Sequence, residues 1–364
     1  MDFKGRALIC PLDWGMGHAT RCIPVIDRLI ALGYEVVVAA GGRPGEFIRR
    51  EYPGLRVIDF PGVEIRYPGD SSMVWAMIRL LPRFLRGIHR EHRYLKRLIA
   101  MTGATLVISD NRYGCWYAGV PSVLITHQLA IRVPDRYRLT EKLLNFFNYK
   151  LISRYTACWI PDFELHRGLA GNLSHPRELP PNARYIGILS RFTGEPDVMA
   201  LADQPAFDLL VMLSGPEPQR TILEEKILRQ LRDINLQVAM VRGMPEAEEI
   251  YSLYGKVVVY SHLESEKLRD LILRSALVIC RSGYSSIMDL VTLGKRAIFI
   301  PTPGQTEQEY LSRYLMEKKI FFSMGQEDFD LFYALEMSNN FHGMVIRNDH
   351  KILEEEILSL RGSR

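Results

Sequence analysis

The chain is 364 residues long, 47% hydrophobic and 24% charged, with a formal net charge of +4. That length exceeds one typical core and suits two domains, and the apolar content excludes an intrinsically disordered chain. Charge is uneven: residues 1–190 hold 26 Lys and Arg against 16 Asp and Glu, and the remainder 20 against 26. The front half therefore suits an anionic surface, yet no zinc-finger, RNP or basic-zipper pattern points to nucleic acid. Cys10, Cys22, Cys115, Cys158 and Cys280 are odd in number without paired spacing, and read as small buried hydrophobes in a reducing compartment. Lys4 and Arg6 are followed only by Ala7–Leu12 before Asp13, too short for a secretory core. The longest uncharged stretch, Tyr113–Ile131, is broken by Gly114, Gly119 and Pro121, so no transmembrane helix is expected.

From the N-terminus, β-rich runs at Ala7–Leu12, Glu35–Ala40, Leu55–Phe60, Thr105–Ser109 and Ser122–Thr126 alternate with helical stretches. This alternation predicts a parallel sheet covered on both faces by right-handed crossovers. The loop after the first strand, DWGMGHATR from Asp13 to Arg21, holds Gly15 and Gly17, whose freedom permits tight backbone geometry, and His18 at a helix start. It lacks the third glycine of a dinucleotide fingerprint. His18 fits a base acting on an acceptor hydroxyl or water, or a structural imidazole.

Between Met73 and Ala100 the apolar Trp75, Ile78, Leu81, Phe84, Leu85, Ile88, Leu95 and Leu98 interleave with Arg79, Arg83, Arg86, Arg90, Arg93, Lys96 and Arg97, with Pro82 inside. Two readings stand: a basic amphipathic face for anionic lipid, extended by Arg132, Arg136, Arg138 and Lys142, or an apolar stripe packed on the sheet beneath solvated arginines. Asp110, Asn111 and Arg112 end one strand and His127 and Gln128 the next, where doubly wound sheets bind ligands. Asp110 either orients His18 and shares the base role, or N-caps a helix.

The pattern restarts after a Gly-, Pro- and Asp-rich linker, Arg191–Pro205, with strands expected at Phe207–Leu213, Gln237–Val241, Lys256–Tyr260, Ala276–Cys280 and Ala297–Ile300, and Ile320–Ser323 as an edge. LLVMLSGPEPQR, Leu209–Arg220, runs into Ser214 and Gly215 and then a helix from about Glu217. Arg242 and Gly243 end one strand, and Ser261, His262 and Leu263 another, a nucleobase pocket or merely a buried strand end. The most informative segment is Cys280–Tyr310. Its turn, Arg281–Ser282–Gly283, precedes a helix from Tyr284 to Leu293, whose first-turn amides and dipole favour an anion. Gly283 admits a ligand to the backbone, and Ser285 and Ser286 offer hydroxyls. Asp289, one turn on, is placed to accept both hydroxyls of a ribose. Gly294 ends the helix, and Gln305, Glu307, Gln308 and Glu309 open the next with groups suited to sugar hydroxyls.

This segment resembles the donor-site signature of MurG-like, family 28 glycosyltransferases of the GT-B fold. The resemblance implies two doubly wound, Rossmann-like α/β domains facing across a cleft. Residues 1–190 take the acceptor side, 204–340 bind the donor, and 341–364 form a C-terminal helix that packs back across the domains. It further implies that the Arg281–Gly283 turn grips diphosphate, that Asp289 holds ribose, and that Gln308 with Glu309, in place of a second Gln, reads the sugar. Ser214 and Gly215 match a GGS-type phosphate loop with one glycine fewer, and Arg242, His262 and Leu263 lie where relatives seat the base. His18 and Arg21 match the GHxxR loop of a related nucleotide-sugar hydrolase of flagellin-sugar synthesis, in which Arg21 meets diphosphate. His127 and Gln128 retain part of a HEQN sequence.

The expected activity is transfer of a sugar from a nucleotide diphosphate donor, UDP-hexose or UDP-N-acetylhexosamine, to a cell-envelope or lipid-linked acceptor. No metal is expected, because no His/Cys cluster has zinc spacing and the sole DxD, Asp328–Asp330, follows the last strand. Helix dipoles, Arg281 and backbone amides would offset the departing charge. The resemblance favours inversion, no cofactor besides the nucleotide-sugar co-substrate, and a cytoplasmic location, peripheral on the inner membrane face. A nucleotide-sugar hydrolase, an epimerase and a non-catalytic nucleotide-sugar sensor remain alternatives.

Overall fold

Two seven-stranded sheets, each flanked by helices, account for the regular structure of the chain, which is described here from a computed structural model. The structure describes residues 4–60, 62, 73–131, 138–165, 168–192, 205–232, 234–244, 250–347 and 349–360, with backbone alone at 73–81, 83 and 138–140. The chain divides into a front unit, Met1–Leu189 with His350–Arg364, and a rear unit, Ser190–Asp349.

The front unit holds β1 (Arg6–Pro11), β2 (Glu35–Ala39), β3 (Arg56–Ile58), β4 (Leu106–Asp110), β5 (Ser122–Ile125), β6 (Ala157–Ile160) and β7 (Ala183–Tyr185), in the order β3-β2-β1-β4-β5-β6-β7. All pairs are parallel, and Ala7, Leu8, Ile9 and Cys10 are fully buried because helices cover both faces of the central strand. Strand order reverses between β1 and β4, so the loops after these two strands border the crevice where such sheets take ligands. The short β6 and β7 were not among the strands expected from sequence.

The rear unit repeats the plan with β8 (Phe207–Met212), β9 (Val238–Val241), β10 (Ile250–Leu253), β11 (Val257–Tyr260), β12 (Ser275–Cys280), β13 (Ala297–Phe299) and β14 (Phe322–Ser323), ordered β10-β11-β9-β8-β12-β13-β14. Its reversal lies between β8 and β12. The edge strand β10, unanticipated, runs antiparallel to β11, and every other pair is parallel.

Helices α1 (Met16–Ala31), α2 (Gly42–Glu51), α3 (Met73–Thr102) and α4 (Arg138–Ile152) belong to the front unit. The rear unit holds α5 (Gln219–Leu231), α6 (Ser265–Leu273), α7 (Tyr284–Thr292), α8 (Thr306–Glu317) and α9 (Leu331–Ser338). The apolar stripe of α3 packs inward: Leu95 and Leu98 join Leu8, Val37 and Val107 in one core, while Arg86, Arg90, Arg93, Lys96 and Arg97 are exposed. Leu85, on the same helix, is 51% exposed beside Arg86; the side chains of Trp75, Ile78, Arg79, Leu81 and Arg83, and those of Arg132, Arg136 and Arg138, lie outside the described residues. Among the described residues no helix is long and apolar enough to cross a membrane.

Of the C-terminal helix expected over 341–364, α10 spans Lys351–Ser359 and residues 341–347 are not helical, while 361–364 lie outside the described residues. α10 belongs to the front unit, where Arg28 Nη1 meets Glu354 Oε2 at 3.3 Å. Of the expected linker, Arg191 and Phe192 are described and 193–204 lie outside the described residues.

Candidate functional site

The loop after β1 enters α1 through Gly15. Its φ of 171° is extended backbone open to any residue, so the tight turn expected there is absent, and a side chain at this position would meet nothing within 4 Å. No side chain caps α1 and no acidic residue occupies its first turn, which leaves the positive end of the helix uncompensated. The Gly17 carbonyl accepts a 3.1 Å hydrogen bond from Thr20, which fixes this first turn.

Four side chains converge beside it. His18 Nδ1 lies 3.3 Å from Asp110 Oδ1 and 2.9 Å from Arg21 Nη2, Arg21 Nε and Nη2 donate to both Asp110 oxygens, and Arg21 Nη1 lies 3.2 Å from His127 Nδ1. Asp110 is fully buried; burial alone would raise its pKa, but the Arg21 guanidinium and His18 hold it below the usual carboxylate range. A guanidinium only donates, so against Arg21 each imidazole presents a bare Nδ1, whereas the Asp110 carboxylate only accepts and requires Nδ1–H on His18. In that second tautomer Nε2 of His18 is a free base. The side chain of His18 keeps 20% of its exposure while Asp110 keeps none, so the imidazole is the accessible member of the pair.

This geometry corrects three expectations. Arg21, 2% exposed and committed to Asp110, does not reach out to a diphosphate and instead positions the site. His127 is likewise buried, its Nδ1 against Arg21 Nη1 rather than toward a ligand. Arg112, placed by sequence at the ligand crevice, is buried over the Phe60 ring and donates to the carbonyls of Pro11 and Phe60. The N-cap reading of Asp110 also falls, because β4 is followed by a turn rather than a helix. Gln128 is half-buried, its amide bound to Thr126 Oγ1 and its carbonyl to Asn148. Asn111 adopts φ 54°, and its buried Oδ1 has no hydrogen-bond partner among the described residues.

In the rear unit the Arg281–Gly283 turn leaves β12 beside the loop that leaves β8. Gly283 has ordinary φ of −71° and open space where a Cβ would stand, no side chain caps α7, and Ser285 and Ser286 flank the turn half-buried. Facing it, Gly215 adopts φ 105°; a Cβ there would lie 3.4 Å from Thr302 Oγ1 and 3.9 Å from Arg281 Nε. Both of those buried atoms lack a hydrogen-bond partner among the described residues. Ser214 is exposed, and α5 starts two residues beyond the expected Glu217. Thr302, at the carboxyl end of β13, escaped the sequence reading; its place after a strand end was the available signal.

Other expected ligand contacts are occupied within the protein. Arg281 donates to the carbonyls of Gln219, Ile300 and Pro301 and to Gln326 Oε1, and burial lowers its pKa to about 10. It braces the turn from behind rather than forking a diphosphate. Ser282 donates to the Gln308 carbonyl. Both Asp289 oxygens are taken, by Ser190 Oγ at 2.8 Å and Arg191 Nε at 3.1 Å, so in this state the carboxylate pins the start of the rear unit instead of offering itself to a ribose. Gln308 accepts from the Thr302 amide and donates to Gln305, and Glu309 accepts from the Gly304 amide, so both shape the 302–305 loop. Arg242 is ion-paired to Glu224 at 2.7 Å, while His262 and Leu263 are half-buried after β11.

Among the described residues no group of three or more His, Cys, Asp or Glu side chains is arranged to hold a metal. Asp330 of the DxD accepts from the Tyr333 amide as the N-cap of α9.

Residues 218–330 match the model of the glycosyltransferase family 28 C-terminal domain. The chain is 24% identical over 311 residues to an uncharacterized glycosyltransferase of Methanosarcina acetivorans, covering 81% of this chain and 77% of that one. It is 23% identical over 309 residues to a UDP-N-acetylglucosamine–N-acetylmuramyl-(pentapeptide) pyrophosphoryl-undecaprenol N-acetylglucosamine transferase of Methylobacterium, covering 80% and 76%. Among solved structures it is similar to the glycosyltransferase SnogD from Streptomyces nogalater, with TM-score 0.58 and 18% identity, covering 98% and 94%.

Proposed function

We propose that this chain, a MurG-like protein of the GT-B fold with a family 28 glycosyltransferase C-terminal domain, transfers a hexose or N-acetylhexosamine from a uridine diphosphate donor to a lipid-linked or cell-envelope acceptor. The observation that carries the reading is the start of α7 at Gly283, uncapped by any side chain, beside Gly215, where Thr302 Oγ1 and Arg281 Nε have no hydrogen-bond partner among the described residues. A positive helix end and spare buried donors suit a diphosphate, and together they offset the charge that builds on the leaving group without a metal.

In the front unit, His18 takes the proton of the acceptor hydroxyl at Nε2. Asp110 receives Nδ1–H and stabilises the imidazolium that forms, while Arg21 keeps the carboxylate ionised and aligned. The freed oxygen attacks the anomeric carbon, and the nucleoside diphosphate departs from the opposite face with inversion. Transfer to a lipid-linked acceptor also gives a role to α4, where Leu143, Phe146 and Phe147 are exposed beside Lys142 and Lys150, a composition suited to an anionic lipid surface.

Titration calorimetry with uridine, thymidine and guanosine diphosphates, followed by their sugar conjugates, tests the donor assignment. Saturable uridine diphosphate binding supports it, and failure of all three overturns it. Activation of water by His18 would make the chain a nucleotide-sugar hydrolase; donor turnover without acceptor at the full rate would establish that reading.

A further inference from the structure

Asp289 stands on α7, the helix whose start is proposed to hold diphosphate, and its carboxylate is closed over by the first residues of its own unit. Ser190 Oγ donates to Oδ1 at 2.8 Å, and Arg191 Nε donates to Oδ2 at 3.1 Å. The Arg191 amide supplies another hydrogen bond. Ser190 Oγ in turn accepts from the Phe192 amide at 3.1 Å, and the Arg191 guanidinium lies over the Phe192 ring, 4.9 Å from its centroid. Residues 190–192 thus form a strap across the carboxylate, with Ser190 and Phe192 themselves buried.

Asp289 is 4% exposed, so no ligand reaches its oxygens while the strap is closed. Burial raises its pKa, and the Arg191 guanidinium and then Ser190 pull it back. A buried carboxylate stripped of donors is too costly to stand bare, so whatever displaces the strap must bring donors of its own. Two neighbouring hydroxyls do so: each donates once, matching one for one the side-chain bonds of Ser190 and Arg191. A phosphate brings like charge instead, and a lone hydroxyl leaves one oxygen unpaired. The chemistry therefore selects a vicinal diol, and on a helix whose start suits diphosphate that diol is the ribose of a nucleotide.

We propose that the ribose of the nucleotide competes with Ser190 and Arg191 for Asp289, so that donor binding opens the strap at residues 190–192. The inference rests on the donor reading of the rear unit and adds an autoinhibitory contact to it. Strap and ribose cannot hold the carboxylate together, so the apparent nucleotide affinity is the intrinsic one reduced by the fraction of molecules whose strap is open. The strap follows directly on Leu189, the last residue before the chain enters the rear unit, so nucleotide occupancy is felt where the chain passes from one unit to the next.

Hydrogen exchange on the full chain, with uridine diphosphate and with its dideoxy analogue that lacks both ribose hydroxyls, tests this. Uridine diphosphate should speed exchange of the Phe192 amide roughly tenfold, the reverse of the protection a ligand usually confers, while the dideoxy analogue leaves it unchanged. Calorimetry on Ser190→Ala, which removes one hydrogen bond of the strap, should show uridine diphosphate bound about fivefold more tightly and the dideoxy analogue within about twofold of wild type. Arg191→Met keeps an apolar stem over Phe192 and should shift in the same direction, which separates the effect from a folding defect peculiar to Ser190. Phe192 protection that is unchanged or increased by uridine diphosphate, opening by the dideoxy analogue as well, or no gain in affinity in either variant overturns the proposal. If neither nucleotide binds, the donor reading falls with it; if uridine diphosphate binds and the strap stays shut, only this inference fails.

Discussion

Nδ1 of His18 lies 3.3 Å from Oδ1 of Asp110, while the Nη2 donor of Arg21 approaches the same imidazole nitrogen at 2.9 Å. Carboxylate and guanidinium thus contend for one ring atom, and only the tautomer that Asp110 favours frees Nε2 for proton uptake. Replacing His18 by Ala should lower kcat by roughly 10²–10⁴-fold, the usual worth of a positioned base, with nucleoside diphosphate affinity unchanged. Steady-state kinetics and calorimetry on the same variant check both halves; an unchanged kcat would refute the base assignment.

Asp110→Asn leaves the buried Arg21 guanidinium without its counter-charge and should destabilise the front unit by roughly 3–5 kcal/mol. Because the folded-state pKa of Asp110 is depressed, the stabilisation is fully present above the unfolded value of about 3.9 and is lost as pH falls through the folded one. Urea midpoints of wild type and variant should therefore differ at neutral pH and converge in acid.

Gly283 and Gly215 separate ligand approach from backbone strain. Gly283→Ala meets open space and an ordinary φ, so its melting temperature should stay within about 1 °C while uridine diphosphate affinity falls roughly tenfold. Gly215→Ala, at φ 105°, should lower both, by roughly 1–3 kcal/mol in stability. Differential scanning calorimetry with ligand titration distinguishes the two.

Glu91 titrates in the opposite sense to Asp110. Burial lifts its folded pKa to about 7, above the unfolded value of about 4.3, so the native state loses stability through this group as pH rises across that window and is level beyond it. Glu91→Gln removes this slope. Unfolding free energies at about pH 5 and about pH 8 should fall less between the two conditions in the variant than in wild type.

Phe146 and Phe147 are 63% and 50% exposed on α4. Changing both to Ser should leave thermal stability within about 0.5 kcal/mol of wild type, as for most surface substitutions, and abolish sedimentation with vesicles containing phosphatidylglycerol. Co-sedimentation at physiological salt measures this; binding that persists in the double variant would rule α4 out as the lipid-facing element.

The alternation of apolar runs with helical stretches made both sheets legible, since buried parallel strands such as β1 and β12 are continuous β-branched or aliphatic runs. β6, β7 and β10 were not, because three- or four-residue strands such as Ala183–Tyr185 carry too little pattern to stand out from loops. At the proposed site the loops follow strand ends as the sequence led us to expect, but the direction of their side chains was not legible. Arg21, Arg281 and Gln308 are residue types that bind anions and sugars, yet each turns inward to satisfy buried carbonyls, a carboxylate or loop amides. Neither periodicity nor motif spacing encodes which of two polar partners a long side chain chooses, and nothing in the chain announced that Ser190 and Arg191 would close on Asp289.

The guanidinium of Arg281 ties the Arg281–Gly283 turn to α5, to the end of β13 and to Gln326. The shape of the proposed diphosphate turn and the cohesion of the rear unit therefore depend on one side chain. An inherited change at this position would surface as scarce protein in the cell before it surfaced as an idle enzyme, and selection acting on abundance alone would suffice to preserve the corner proposed to bind nucleotide.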